Sequence, residues 1–301
     1  MNADAEEKRR SYSDIGRPNN SNWLLAVDSL HSTKMKYLGR LAPTPTGYLH
    51  LGHASTFSMA QRRAREAGGG LLLRIEDLDP LRCRSEFTAA AIEDLKWLGL
   101  DWDGEPVFQS QRRNHFLEVW QRLKSGGHIY PCLRSRREIS TLAPHEEEPI
   151  FPIEWRTPQG PAADYSEPRG VNWRFRVPEG ATMSFHDQNL GLVEKVAQRD
   201  FGDFLVWNRD DVPAYELAVV ADDMAMRITE VVRGADLLTS TARQILLYEA
   251  LGARPPAFFH CPLVCDKEGR RLAKRSGGLS IRELREAGKT PEEILRMAEL
   301  G

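Results

Sequence analysis

The sequence predicts an α/β protein built on an open parallel sheet. A short apolar strand, a glycine-containing turn, a helix and a second apolar strand follow one another across residues 36–77. That order is a βαβ unit, whose two strands must run parallel. The second strand, "LLLRIED" at 71–77, is a continuous apolar run of the kind buried on both faces. Strands and helices continue to alternate downstream, with "RITEVVRG" followed by "STARQILLYEALG".

The first strand is "KYLGRLA", broken by "PTPTG". The helix after it runs through "HASTFSMAQRRAREAGGG", with Ala60, Ala64 and Ala67 at helical spacing and Gly68 as its stop. Ser85 is the expected cap of a second helix, which carries Phe87, Ala91, Ile92, Leu95 and Leu98 on one face and ends at Gly99. A third helix is expected over 111–124, with Phe116, Trp120 and Leu123 inward and a "GG" stop. From 133 to about 170 periodicity is lost, as in an insertion or a functional loop. Strict alternation returns in "NWRFRV", with Trp173, Phe175 and Val177 opposed to Arg174 and Arg176. "GDFLVWNRDDVPAYELAVVADD" reads as a hairpin turning at "NRDD" and leading into a buried element. "STARQILLYEALG" reads as a well-capped helix, "FFHCPLVC" as a buried strand and "SIRELREAG" as an amphipathic helix.

Composition narrows the classes. The 301 residues are 41% hydrophobic and 28% charged, with a net charge of −2, so a polyanionic partner must be held by a local patch. No apolar run approaches bilayer length. Four cysteines (Cys83, Cys132, Cys261 and Cys265) are too few for a disulfide scaffold and suit a reducing cytoplasm. "HCPLVC" offers Cys261, Cys265 and His260, three donors that do not close a tetrahedral site. Residues 1–35 mix both charge signs with Asn, Ser and Gly, lack a signal-peptide pattern and read as a disordered extension. Within them "WLLAV" is the one stretch that suggests a packed element.

The turn "PTPTGYLHLGH" lies where a strand hands over to a helix N-terminus, the place where open parallel sheets bind ligands. Its glycines let the backbone approach a phosphate, and His50 and His53 can donate to phosphoryl oxygens. By itself the turn is equally a polar connection whose histidines satisfy backbone groups.

The surroundings carry more. His50-Leu51-Gly52-His53 resembles the "HIGH" motif of class I aminoacyl-tRNA synthetases. "GRLAPTPTGYLHLGHA", "LLLRIEDLDP", "DWDGEPVFQSQR", "AYELAVVADD", "ITEVVRGADLL" and "RLAKR" are similar, in order, to the glutamyl branch of that class. The resemblance implies a Rossmann-type catalytic domain carrying an inserted α/β subdomain. Its halves fall at 36–131 and 200–265, with the connective insertion at 132–199 and a lysine loop and terminal helix at 266–301. It implies Arg40, Ala42, Thr44, Glu76, Tyr215 and Arg233 as the glutamate-binding set. Charge alone supports four of them: Arg40 and Arg233 can fork to a carboxylate, Glu76 can receive an ammonium and Tyr215 can donate. It also implies His50, Gly52, His53 and Lys274 as the ATP-binding residues, with His50, His53 and Lys274 catalytic and Mg²⁺ entering with the nucleotide. Lys274 stands in "RLAKR" where the class has "KMSKS", and Ala273 replaces the usual serine.

Only twenty-six residues follow Arg275, so the resemblance implies no anticodon-binding domain. It points to the truncated members that activate glutamate without tRNA and esterify it to the queuosine base in the anticodon loop of tRNA(Asp). A minimal synthetase charging tRNA(Glu), or a non-catalytic glutamate- or ATP-binding paralogue, stays open. Many relatives hold zinc with a C-x-C pair and a later cysteine. Here Arg134 and Trp155 stand at those partner positions, so no metal site is expected and Trp155 and Phe151 are expected to support the loop by packing. Arg62, Arg63, Arg65, Arg134, Arg136 and Arg137 are candidate phosphate contacts. A cytoplasmic monomer with no membrane partner completes the expectation.

Overall fold

A computed structural model describes residues 36–134, 138–139, 149–158, 161–264 and 280–300. The calls on residues 1–35, Cys265, Ala273, Lys274, Arg136 and Arg137 lie outside these residues.

Strand β1 (Leu38–Leu41) is followed by helix α1 (Leu51–Glu66) and β2 (Gly70–Ile75), and β1 and β2 pair in parallel from Leu38↔Gly70 to Leu41↔Leu73. Gly68, at φ +59°, lets the chain reverse between α1 and β2, a backbone conformation costly to a side chain. Helix α2 (Ser85–Trp97) leads to β3 (Val107–Phe108), parallel to β2. The expected βαβ unit is present.

Beyond α3 (Arg113–Ser125), strands β4 (Ile129–Cys132), β5 (Asn172–Phe175) and β8 (Leu205–Trp207) form an antiparallel sheet, so strands flanking the 132–199 segment pair with one inside it. Between β5 and β8 lies a hairpin, β6 (Thr182–Asp187) with β7 (Gly191–Val196). Helix α4 (Tyr215–Ala225), β9 (Glu230–Gly234), α5 (Leu238–Ala250) and β10 (Ala257–Cys261) complete a second parallel unit, in which β10 pairs with β9 on one side and with β6 on the other. The last helices are α6 (Ile281–Glu286) and α7 (Pro291–Leu300).

The Thr229 amide donates to the Leu38 carbonyl at 2.9 Å and the Leu38 amide to Thr229 Oγ1 at 2.8 Å, placing β9 beside β1. The order across the layer is thus β3-β2-β1-β9-β10, and connections leave β1 and β9 toward opposite edges. The carboxyl ends of those two strands form a crevice, the usual ligand position in such a sheet.

Two apolar clusters flank this layer. One gathers Leu41, Phe57, Leu73, Leu95, Ile281 and Ile294 around α1, α2, α6 and α7. The other gathers Trp120, Trp173, Phe175, Trp207, Leu217 and Leu247, with Trp120 and Trp173 edge to face at 4.8 Å between centroids. Each such buried side chain contributes on the order of 1.5–3 kcal/mol.

Several sequence readings need correction. Ser85 is the first residue of α2, and the cap position is Arg84, with no side-chain bond. Helix α5 is not well capped: it begins at Leu238 out of a 3₁₀ turn, Ala235–Leu237, which supplies its entry instead. Helix α3 starts at Arg113, because Gln109–Gln111 form a 3₁₀ turn. The "NRDD" turn closes only a single bridge, Trp207↔Pro213, and the buried element after it is helix α4. The β6–β7 hairpin had no sequence expectation. No helix among the described residues is long and apolar enough to cross a membrane.

Asp94 on α2 is buried with no hydrogen bond to either oxygen, and Arg282 of α6 stands 3.3 Å away. Burial raises its carboxyl to about 6, partly opposed by Arg282. The folded state then keeps a proton that an unfolded aspartate releases near pH about 3.9, so Asp94 costs stability as the pH rises through that window. Asp94→Asn is therefore expected to raise the midpoint of thermal unfolding at pH 7.5, the gain shrinking toward zero as the pH falls to about 4. Equal gains at both pH values would show that ionisation is not the cause.

Candidate active site

The crevice between β1 and β9 opens into a cavity of about 360 Å³. Arg40 comes from β1, Ala42 and Thr44 from the loop after it, Glu76 from the end of β2, and Arg233 and Gly234 from the end of β9. His50, Gly52 and His53 face it from the start of α1, and Tyr215 from the start of α4. Every expected site residue among those described lines this one cavity. Asp236, Leu237, Pro262, Leu263 and Val264 line it too, and no sequence signal singled them out.

The α1 entry is built around its two imidazoles. His50 is the N-cap in extended conformation, and its Nδ1 accepts from the Gly52 amide at 3.2 Å. His53 Nδ1 accepts in turn from the His50 amide at 3.1 Å. This is a capping box in which both ring Nδ1 atoms are acceptors, so each neutral ring carries its proton on Nε2. Both histidines thus present an N–H donor at a helix N-terminus, where the dipole favours an anion. A Cβ at Gly52 would lie 3.1 Å from the His50 ring, so any side chain there would have to push that ring aside.

The opposite wall is charged and buried. Arg74, on β2, is fully enclosed and donates to Asp223 at 2.6 Å and Glu76 at 3.0 Å. Burial opposes the Arg74 charge, but Asp223 and Glu76 more than offset it and hold the group above its usual range. Arg40 donates to the Val232 carbonyl at 2.9 Å and stands 3.7 Å from Asp223, its pKa lowered by burial against that pull. Glu76 also accepts from Thr44 at 3.2 Å, and its amide donates to the Pro43 carbonyl at 3.0 Å. Tyr215 keeps its proton, pushed up to about 12 chiefly by burial of its hydroxyl. The Glu76 carboxylate, two arginines and a phenol therefore converge beside a pair of imidazole donors.

The two flanks of residues 265–279 meet this site. Val264 lines the cavity, while Ser280 bridges to His50 and the Ile281 amide donates to the Leu49 carbonyl at 2.8 Å.

The sequence profile of tRNA synthetases class I (E and Q), catalytic domain, matches residues 36–300. The chain belongs to this family. It is 45% identical over 264 residues to a glutamyl-Q tRNA(Asp) synthetase of Nitratidesulfovibrio vulgaris, covering 83% of this chain and 81% of that one. It is 43% identical to the protein of that name from Symbiobacterium thermophilum, covering 85% and 84%. The crystal structure of a glutamate tRNA ligase from Elizabethkingia meningosepticum in complex with its amino acid superposes with a TM-score of 0.70 at 28% identity. That match covers 84% of this chain and 53% of the ligase, so the chain spans about half its length. The Rossmann-type parallel sheet is thus the class I synthetase catalytic fold.

Against this family background two surface expectations change. Arg63 is not a phosphate contact: Nε and Nη2 grip Glu230 at 2.7 and 2.8 Å, and its guanidinium lies 4.2 Å from the Phe259 ring, clamping α1 to β9. Arg62 and Arg65 are exposed and pair with Glu299 and Asp101. All three sit at the far end of α1, about 14 to 18 Å along the axis from His53 at about 1.5 Å per residue.

Residues at the family's zinc positions do not fit a metal. Cys132 is buried beside Tyr130 and Phe151, and the Arg134 guanidinium lies 4.8 Å from the Trp155 ring centroid. Trp155 stands edge to face with Phe151 at 6.0 Å, the packing expected of these two rings. Among the described residues no group of three or more His, Cys, Asp or Glu could hold an ion. A chelator is expected to leave the thermal midpoint unchanged, whereas Trp155→Ala should cost about 1–2 kcal/mol in urea unfolding by removing the ring pair and the stacked cation. A chelator-induced drop would place a metal in this arm.

Proposed function

We propose that this chain activates glutamate with ATP in the absence of tRNA and transfers it to the queuosine base in the anticodon loop of tRNA(Asp). The observation that carries the activation step is the convergence of Arg40, Glu76, Tyr215 and Arg233 with His50 and His53 on one cavity. Arg233 and Arg40 hold the side-chain carboxylate, and Glu76, with Ala42 and Thr44 alongside, receives the ammonium. The α-carboxylate oxygen then attacks the α-phosphorus in line. An O–P bond forms, the bond to the β-phosphate oxygen breaks, and pyrophosphate leaves with its electron pair. The Nε2–H groups of His50 and His53 donate to phosphoryl oxygens whose charge rises in the transition state. Gly52 allows the approach.

Lys274 is assigned to the same phosphates. It is ten residues from Val264 and six from Ser280, and six residues reach at most about 21 Å. Ala273 removes a hydroxyl from that loop and leaves the ammonium. Mg²⁺, held by the phosphates of the nucleotide, would supply charge neutralisation for the departing pyrophosphate. In the second step a hydroxyl of the queuosine base attacks the mixed-anhydride carbonyl, forming the ester and releasing AMP. The acceptor assignment is supported by two relatives whose names specify tRNA(Asp) and whose lengths this chain covers by 81% and 84%. The protein works in this reading as a cytoplasmic monomer, with 132–199 as the connective insertion.

Glutamate-dependent ATP–pyrophosphate exchange is expected without any RNA. Labelled glutamate should then appear in the anticodon fragment of tRNA(Asp) only when queuosine is present. Label on the terminal adenosine of tRNA(Glu) would identify a minimal charging enzyme instead, and no exchange would leave a binding protein. Gly52→Ala gives an internal check. Alanine favours the helix by about 1 kcal/mol, yet displaces the His50 ring, so the melt should hold or rise while exchange falls at least about tenfold.

A further inference from the structure

Arg233 is held from behind by His260 and Thr241, which do not line the cavity, and from the side by Tyr215, which does. Its Nε donates to His260 Nε2 at 3.3 Å, Nη2 to Thr241 Oγ1 at 2.7 Å and Nη1 to the Tyr215 hydroxyl at 3.5 Å. A guanidinium nitrogen cannot accept, so His260 Nε2 bears the lone pair and the ring proton sits on Nδ1. That proton faces Asp187 Oδ2 at 2.6 Å. Thr241 Oγ1 lies 2.9 Å from the same His260 Nε2. Asp187, His260 and Thr241 are all fully buried.

Asp187 is itself fixed. It accepts from the backbone amides of Asn189 at 3.0 Å, Leu190 at 2.9 Å and His260 at 3.2 Å. The Asn189 side chain donates to the His260 carbonyl at 2.9 Å, so the β6–β7 turn holds both the amide and the carbonyl of His260. Burial and the charge of Arg233 lower the His260 pKa, which keeps the ring neutral. Burial works against the Asp187 charge, but its bonds from His260 and the turn amides bring the carboxyl below its usual range.

We propose that Asp187, His260 and Thr241 are positioning residues that fix the plane of the Arg233 guanidinium. Resting on the reading of Arg233 as the carboxylate receptor, this deepens it into a specificity device. Three of the five guanidinium N–H groups are directed at protein. The two that remain, one on each terminal nitrogen, form a fork toward the cavity. A fixed fork accepts a carboxylate on both prongs, whereas an amide side chain offers one oxygen and one clashing NH₂. A fork free to rotate loses that distinction.

The test is exchange kinetics of the full chain with glutamate and with glutamine, read beside the thermal midpoint. His260→Phe keeps the ring volume and removes the ring's contacts with Arg233, Thr241 and Asp187; Thr241→Val removes the hydroxyl that receives Arg233 Nη2 without orphaning Asp187. Each should raise KM for glutamate about tenfold, the weight of a charge-assisted hydrogen bond, and narrow the glutamate–glutamine ratio. kcat and KM for ATP should stay within about threefold. His260→Gln, which retains an acceptor for Arg233, should recover part of the loss. Thr241→Val carries the test if His260→Phe does not fold. Unchanged KM with only a lower midpoint would overturn the proposal, making the chain structural. Arg233→Gln separates the two levels: if it leaves KM for glutamate unchanged, the receptor reading itself falls, whereas loss of binding there with unchanged KM in the Thr241 and His260 variants removes only the positioning.

Discussion

The rest of the site depends on one buried ion cluster. Arg74 points from the middle of an otherwise apolar strand into the protein, and Asp223 and Glu76 meet it there at 2.6 and 3.0 Å. A charge in that position is tolerable only with partners fixed on both sides. Those partners are themselves committed: Asp223 draws Arg40, and Glu76 draws Thr44. β1, β2, α4 and the loop after β1 are thus registered to one another by electrostatics as well as by packing. Remove the guanidinium, and two carboxylates would face each other beneath the cavity floor.

Topology then decides what this cluster is for. With β1 and β9 side by side and their connections diverging, the sheet leaves a crevice at its carboxyl edge. The cluster furnishes one wall of it and the α1 entry the other, so a molecule carrying both charge signs meets a matched surface on one side and donors for an anion on the other. The fold needs no catalytic nucleophile for this arrangement to be useful. Placement and pre-oriented dipoles suffice.

Much of this was legible from residue order. The βαβ unit followed from "KYLGRLA", Gly68 and "LLLRIED", and the cavity-facing set from the family resemblance of its motifs. What escaped has a common cause: it depends on partners distant in sequence. Arg74 passed unremarked inside a run read as continuously apolar, and nothing local names Asp223, 149 positions away. "FFHCPLVC" was read as a buried strand, but the strand ends at Cys261, and the role of His260 appears only when β6 pairs with β10. Arg63 was a candidate phosphate contact until Glu230 was placed across from it. Helix starts at Ser85 and Leu238 were misjudged because tertiary packing and 3₁₀ entries replaced side-chain caps. The lysine loop lies outside the described residues.

The His50 ring answers two demands with one heterocycle: its Nδ1 closes the helix end, and the ring lines the crevice. Imidazole is a mediocre helix cap, and serine or aspartate would do that half of the task better. Any selection for heat resistance alone would be drawn to this position and would reward the loss of the Nε2 donor. Robustness and usefulness pull in opposite directions at a single residue here, and the one that persists is a compromise between them.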